Sequence, residues 1–336
     1  MGPRILVTGG AGYIGSHACK ALAGAGFVPI TYDNLSHGHQ SAVRWGPFEC
    51  GDLMNAARLD EVIERHRPVA VMHFAAFIEA RESIINPAKY YENNLNSMLG
   101  LLAAMRRGGI DRIVFSSTAA VYGIPEKVPI DEGHPLLPIS AYGSSKLMCE
   151  RILADYVAAY GLRAISLRYF NAAGADPGGD IGESHEPETH LIPIVLEAAA
   201  GRRPFVVIYG DQYDTRDGTC IRDYVHVSDL ADAHLLALHR LDLGSGAHVY
   251  NLGQGSGFTV REVVKAAQRV TGRPIATRVQ NPRSGDPPVL LADARRAIRD
   301  LGWHPLRGDL DVQIADAWRW AQTHLERQER AERIAP

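Results

Sequence analysis

The chain has 336 residues, with 35 Lys and Arg against 38 Asp and Glu, a formal net charge of −3 and 46% hydrophobic residues. That length suits one large domain plus a smaller one, and the charge balance gives no global basic field, so neither nucleic acid nor an anionic membrane is expected as a partner. No apolar stretch approaches the ~20 residues of a membrane span and the N-terminus enters a strand almost at once, so the expected location is cytoplasmic.

Four cysteines, Cys19, Cys50, Cys149 and Cys220, are scattered without metal-type spacing. They read as small core residues and argue against a zinc site or a disulfide framework, so no metal is expected.

The first element is a buried strand. Ile5-Leu6-Val7 stops at Thr8, and glycines follow at 9, 12 and 15 as the chain turns into a helix. Gly9 permits the tight turn, Gly12 lets backbone approach a pyrophosphate, and Gly15 lets the helix pack closely. Phosphates then lie at the positive end of the helix, beside Tyr13 and Ile14. A second strand, 27–32, ends at Asp33, 18 positions past Gly15. A carboxylate there accepts hydrogen bonds from the adenosine ribose and repels a 2′-phosphate, which favours NAD over NADP; Asn34 follows it. A third short strand, 48–50, leads to Asp52 and Leu53, within reach of an adenine.

Strand-like and helical stretches then alternate: strand 69–74, helix 87–107, strand 112–116, helix 140–160 and strand 163–168. Strands separated by helices mean a parallel sheet covered on both faces, a Rossmann-type doubly wound α/β fold, in which ligands bind beyond the carboxyl ends of the strands. The glycine turn, Asp33, the Phe74-Ala75-Ala76 turn and the Ser116-Ser117-Thr118 turn all fall at such ends. Tyr142 and Lys146, four apart at the start of a helix, share one face. A phenol with an ordinary pKa of about 10 needs its anion favoured by roughly 4 kcal/mol to act as a base at pH 7, and a fixed ammonium supplies part of that.

After residue 170 the texture changes to a Gly-Pro-Asp loop at 175–188, a helix at 189–201 and shorter elements, a smaller α/β region that covers the crevice. Residue 227 opens a helix with Ser228 as cap, and 248–252 returns as a strand. The expected division is 1–170 for the dinucleotide, with returns near 226–252, and 171–336 mainly for the substrate. A charged tail at 326–333 reads as a solvated helix end.

The sequences Thr8-Gly-Gly-Ala-Gly-Tyr-Ile-Gly15, Phe115-Ser-Ser-Thr-Ala-Ala-Val-Tyr-Gly123, Tyr142 with Lys146, and Leu167-Arg-Tyr-Phe-Asn171 resemble the extended short-chain dehydrogenase/reductases, and within them the UDP-sugar 4-epimerases. The likeness runs over nearly the whole chain, including Tyr90 to Asn94, Gly218 to Val227 and Arg283 to Asp286. It implies a tightly held NAD, a UDP-sugar in the cleft and inversion at C4 through a transient 4-keto sugar, with the UDP-glucose/UDP-galactose pair first. The N-acetylhexosamine and xylose/arabinose pairs stay open as alternatives.

The same resemblance assigns roles. Tyr142 takes the 4-hydroxyl proton, Lys146 holds the tyrosinate and the nicotinamide ribose, and Thr118 donates to the reacting oxygen. Asn93, Ser116 and Tyr169 join the cofactor side. Asn171, His190, Leu191, Arg222 and Arg283 face the sugar nucleotide, and Asp286 the uridine ribose. Ile78 stands where some relatives place a lysine and Arg81 replaces a common glycine, so either local cofactor contacts differ or Arg81 takes over a phosphate, and Leu290 occupies the position governing N-acetyl acceptance. Ala119 and Ala120 replace the Asp-Glu pair that a 4,6-dehydratase needs, since methyl groups move no protons. An idle NAD-binding sensor on this scaffold typically lacks the Tyr-Lys pair. Helices 87–107 and 147–160 form, by the same resemblance, a homodimer interface.

Overall fold

The computed structural model describes residues 2–334 apart from Ser245 and Ser284, with side chains to Thr323. A seven-stranded parallel sheet runs in the order Gly246–Leu252, Arg163–Tyr169, Arg112–Thr118, Ala70–His73, Arg4–Thr8, Val28–Asp33 and Phe48–Cys50. The order reverses on either side of the first strand, which leaves a crevice at its carboxyl end.

Alternation along each strand builds two cores. Ile5 and Val7 face the core shared with helices Tyr13–Gly24 and Val227–Leu241, whereas Leu6 faces the one shared with Ala56–His66, Pro87–Arg107 and Ala141–Tyr160. Ile113 and Phe115 likewise point to the second core and Val114 to the first, so strands buried on both faces read as unbroken apolar runs. The long helices begin where local chemistry dictates. Ser140 Oγ accepts from Gly143 N at 3.2 Å, and Pro87 occupies the first turn behind the Asn86 cap.

A third core lies in the C-terminal half, among Leu191–Ala199, Val260–Thr271 and Leu310–Ile334. Short two- and three-stranded sheets, such as Val206–Tyr209 with Thr277–Gln280, form its rim. Asp223 ties this half to the returning strand, accepting from the amides of Gln254, Gly255 and Ala292 at 2.7, 3.0 and 3.1 Å. Burial pushes its carboxyl up to about 6 despite those amides.

Four expectations change. Helix Ala56–His66 was not anticipated, because its sequence is mostly polar and buries only Leu59, Val62 and Ile63. The 189–201 helix is shorter, Leu191–Ala199. Helix Val227–Leu241 is capped by His226, whose Nδ1 accepts from Ser228 N at 3.0 Å, not by the Ser228 side chain. Cys50 is exposed, since it ends an edge strand, while the other three cysteines are buried. The 326–333 tail lies within helix Leu310–Ile334, with its side chains outside those described.

Candidate functional site

The glycine turn is built as its spacing demands. Gly9 has φ +73°, and a Cβ there would meet Ala75 N at 2.5 Å. A Cβ on Gly15 would lie 2.9 Å from Gly10 Cα, so this glycine admits the turn itself rather than the sheet. Gly12, by contrast, opens outward: its absent Cβ meets only the Gly9 carbonyl, at 3.3 Å. Helix Tyr13–Gly24 starts there with no side-chain cap and no acidic residue in its first turn, leaving its amides and positive end free for an anion. Tyr13 anchors the turn to the C-terminal half by donating to Gly174 O at 2.6 Å.

Asp33 sits at the tip of its strand, almost buried. Its Oδ2 accepts from Ala11 N at 3.0 Å and its Oδ1 from Leu35 N at 2.8 Å, which fixes the carboxylate and leaves further lone pairs for two ribose hydroxyls. Asn34 Nδ2 donates to Asp52 Oδ2 at 2.9 Å, bracing the floor where Leu53 is buried. Phe74 and Ala75 close the turn through amides on Thr8 O, at 2.9 and 3.2 Å, and Ala76 follows them. An open turn of small residues, uncapped amides and a poised carboxylate make a cradle that fits a dinucleotide diphosphate and its adenosine.

Tyr142, Lys146 and Thr118 come together beside it. The Tyr142 phenol faces Thr118, whose Oγ1 accepts from Ala120 N at 3.1 Å. Lys146 is buried, and its Nζ donates to Ser116 O at 2.8 Å, 4.8 Å from the Phe115 ring. Burial lowers this ammonium to about 8. Burial raises the phenol to about 12, against the opposing pull of Thr118. The chain alone therefore holds a neutral phenol, with the ammonium on a carbonyl rather than on the phenol. Tyr169 hydrogen-bonds Ser116 Oγ in the same wall.

A supporting layer that sequence reasoning missed fixes these groups. Ser83 Oγ accepts from Tyr142 N at 3.0 Å, Ser145 Oγ donates to Tyr142 O at 2.8 Å, and Asn94 Nδ2 donates to Ser145 Oγ at 3.0 Å. Asn93 touches Asn94 Oδ1 at 3.0 Å. Behind the Thr118 strand the Arg168–Glu150 pair is buried, with Arg168 Nε 2.9 Å from Glu150 Oε1 and Ser117 on the same carboxylate. These are ordinary serines and charges in the sequence, and only the fold gives them meaning.

Toward the C-terminal half Asn171 Nδ2 donates to Asp223 O at 2.9 Å, and Arg222 pairs with Asp286. The Arg283 guanidinium lies 3.7 Å from the Tyr209 ring centroid, with its Nε buried and without a partner. Arg81 lies over the same ring at 5.7 Å, and the two guanidiniums hold the Tyr209 phenol below its ordinary pKa, Arg283 being the larger cause. Arg81 therefore belongs with Arg283 and Tyr209 rather than with the glycine turn. Tyr209 carried no motif that would single it out. Ile78 is exposed, and Leu290 packs against the cluster of Ala119, Val121, Tyr122, Ile130 and Leu147. Leu191 opens its helix. His190 Nδ1 lies 2.8 Å from Glu183 Oε1 and 2.9 Å from Glu188 Oε1. Those carboxylates overcome its burial and raise its pKa well above the ordinary value.

Residues 5–253 match the model of the NAD dependent epimerase/dehydratase family. The chain belongs to that family. It is 52% identical over 317 residues to the UDP-glucose 4-epimerase of Rhizobium meliloti (strain 1021), covering 94% of this chain and 96% of that one. Among solved structures it is similar to the UDP-glucose 4-epimerase of Brucella ovis in complex with NAD, with a TM-score of 0.92 and 52% identity over 94% of this chain and 97% of that one. The Bifidobacterium longum UDP-glucose 4-epimerase in complex with NAD+ and UDP matches at 0.91 and 37%, over 96% and 99%. Family membership fixes an NAD-dependent α/β enzyme, in agreement with the sheet order, the glycine cradle and Asp33. Among the described residues no helix is long and apolar enough to cross a membrane.

Proposed function

We propose that the chain inverts the C4 hydroxyl of a UDP-sugar, interconverting UDP-glucose and UDP-galactose. The observation that carries the reading is the meeting of Tyr142 and Thr118 at the head of the sheet, with Lys146 one helical turn behind and the glycine cradle beside it. When bound, NAD would supply a reversible hydride acceptor, so that the reaction would consume no redox equivalent. Gly9, Gly12, Tyr13, Ile14, Gly15, Asp33, Asn34, Asp52 and Leu53 hold its adenosine and diphosphate, and Phe74, Ala75, Ala76, Asn93, Ser116 and Tyr169 line the way to the reacting end.

Tyr142 Oη exchanges the proton of the sugar O4, and Thr118 Oγ1 orients that oxygen. Because the chain alone favours the neutral phenol, at about 12, its basicity has to come from positive charge brought beside it in the loaded site. Lys146 has two donors beyond the one spent on Ser116 O, enough to reach a ribose hydroxyl. Asn171, His190, Leu191, Arg222, Arg283 and Asp286, in the 171–336 region, bind the nucleotide. Opening the Arg222–Asp286 pair frees a guanidinium fork for diphosphate and a carboxylate for ribose.

Purified enzyme given UDP-galactose without added NAD should convert many equivalents to UDP-glucose, as read by chromatography. Conversion that stops at one equivalent would mark a dehydrogenase instead. The same reading makes the chain a cytoplasmic homodimer. Leu99 and Met148, 42% and 41% exposed on the paired helices Pro87–Arg107 and Ala141–Tyr160, support that interface. Sedimentation of the wild type as a monomer, or its recovery in a membrane fraction, would rule this part out.

A further inference from the structure

The loop leading into helix Leu191–Ala199 carries Glu183, His185, Glu188 and His190, a Glu-x-His-x-x-Glu-x-His pattern that the proposed reaction leaves unused apart from His190. One ligand atom from each of the four lies within 4.8 Å of all the others. His185 Nδ1 is 3.2 Å and His190 Nδ1 2.8 Å from the same oxygen, Glu183 Oε1, while His190 Nδ1 is 2.9 Å from Glu188 Oε1.

An ion-pair network accounts for this arrangement only if His190 shares one proton between two carboxylates. His190 Nδ1 carries at most one hydrogen, yet two carboxylate oxygens converge on it within hydrogen-bond distance. Glu188 Oε1 already accepts from the amides of Thr189 and His190, at 2.8 Å each. The two imidazole rings lie 5.3 Å apart, where two imidazoliums would repel. A dication satisfies all of these groups at once. Two neutral imidazoles and two carboxylates make it electrically neutral, and the donor separations of 2.8, 2.9 and 3.2 Å lie just inside the roughly 3.3–3.6 Å edges of a tetrahedron around an ion with ligands at about 2.0–2.2 Å.

The geometry points to a divalent transition-metal site of the zinc class, ligated by Glu183, His185, Glu188 and His190. Two nitrogen donors disfavour calcium and magnesium, and four protein ligands leave no open position, so the ion is structural rather than catalytic. It pins a loop that three distant segments already touch: His39 Nε2 meets Ser184 O at 2.8 Å, Trp320 Nε1 donates to Glu183 O at 2.8 Å, and Thr189 Oγ1 donates to Glu79 Oε2 at 2.9 Å. The loop closes over the glycine turn near Tyr13, whose phenol feels the charges of both Glu183 and Glu188. The metal thus clamps the cover of the dinucleotide cleft. This inference does not depend on which sugar is epimerised.

The test uses full-length enzyme purified without a metal-affinity step. Elemental analysis should find one equivalent of zinc per chain. After chelation, added Co(II) should give the intense visible bands of a tetrahedral site, and these should disappear on back-titration with Zn(II). His185→Ala and Glu183→Gln should each weaken zinc binding by more than the roughly 10–100-fold that loss of a group behind a ligand costs, with far-UV circular dichroism unchanged. Chelated wild type should release its dinucleotide faster than the zinc-loaded form. Sub-stoichiometric zinc, a weak octahedral Co(II) spectrum, or wild-type zinc affinity in both variants would overturn the site and leave an ion-pair network.

Discussion

Gly15 and Gly24 lie on the same helix, and an alanine at each should act in opposite directions. At position 15 the new Cβ would sit 2.9 Å from both Gly10 Cα and the Gly9 carbonyl carbon, and closer still to the Gly9 oxygen. Carbon atoms rest about 3.5–4.0 Å apart, so the turn must give way by roughly 1 Å, and every atom in the way is backbone. Overpacking of this kind costs about 1–3 kcal/mol. Displacing one amide from a phosphate oxygen forfeits a further ~1.5–3 kcal/mol of charge-assisted hydrogen bonding. At 1.4 kcal/mol per decade, the second loss alone weakens NAD binding about 10–100-fold. At position 24 a Cβ meets nothing within 4 Å, and alanine in a helix is worth up to about 1 kcal/mol over glycine. Both variants and the wild type should be compared by dinucleotide released on denaturation, by equilibrium dialysis against NAD, and by thermal unfolding. Gly15→Ala should emerge depleted of NAD and less stable, and Gly24→Ala fully loaded. A Gly15→Ala protein that binds NAD as the wild type does would refute the cradle.

The Arg168–Glu150 pair behind Thr118 is almost wholly buried, so Glu150→Ala should cost about 3–5 kcal/mol in urea unfolding by stranding a guanidinium, while Glu150→Leu with Arg168→Met should recover most of it. A Glu150→Ala protein within ~1 kcal/mol of wild type would show that the pair carries no such weight. Burial alone would raise the Glu49 carboxyl, but His66, Arg58 and Arg65 hold it at about 2, below an unfolded value of 4.5. The wild type's stability advantage over Glu49→Gln should therefore be complete above about pH 4.5 and fade as pH falls towards about 2; an advantage independent of pH would contradict this.

The parallel sheet was legible because both faces are covered: Ile5-Leu6-Val7 and Ile113-Val114-Phe115 have no polar interruption, and glycines and Asp33 punctuate the strand ends. Helix Ala56–His66 was not, because its buried face is only three side chains wide and much of its tethering comes from Arg58, Arg65 and His66 on Glu49, contacts that exist only across the fold. The Tyr-Lys spacing places both groups on one helix face, but what each meets is decided by the Arg112–Thr118 strand opposite, which sets Thr118 before one and Ser116 O before the other. Scattered cysteines point away from metal, whereas the Glu-x-His-x-x-Glu-x-His spacing from Glu183 to His190 is readable in the sequence but only the fold turns its four side chains together. Tyr209 gains its place only because two distant arginines reach it.

Tyr142→Phe tests the proposed role of the phenol as carrier of the sugar-oxygen proton with the least disturbance, since it removes one oxygen from a residue otherwise held by its backbone contacts to Ser83 and Ser145. Turnover of UDP-galactose should fall by at least about 10²–10⁴-fold, while bound NAD content and UDP affinity stay within a few-fold of wild type. A variant that turns over at the wild-type rate would remove the proton carrier from the account.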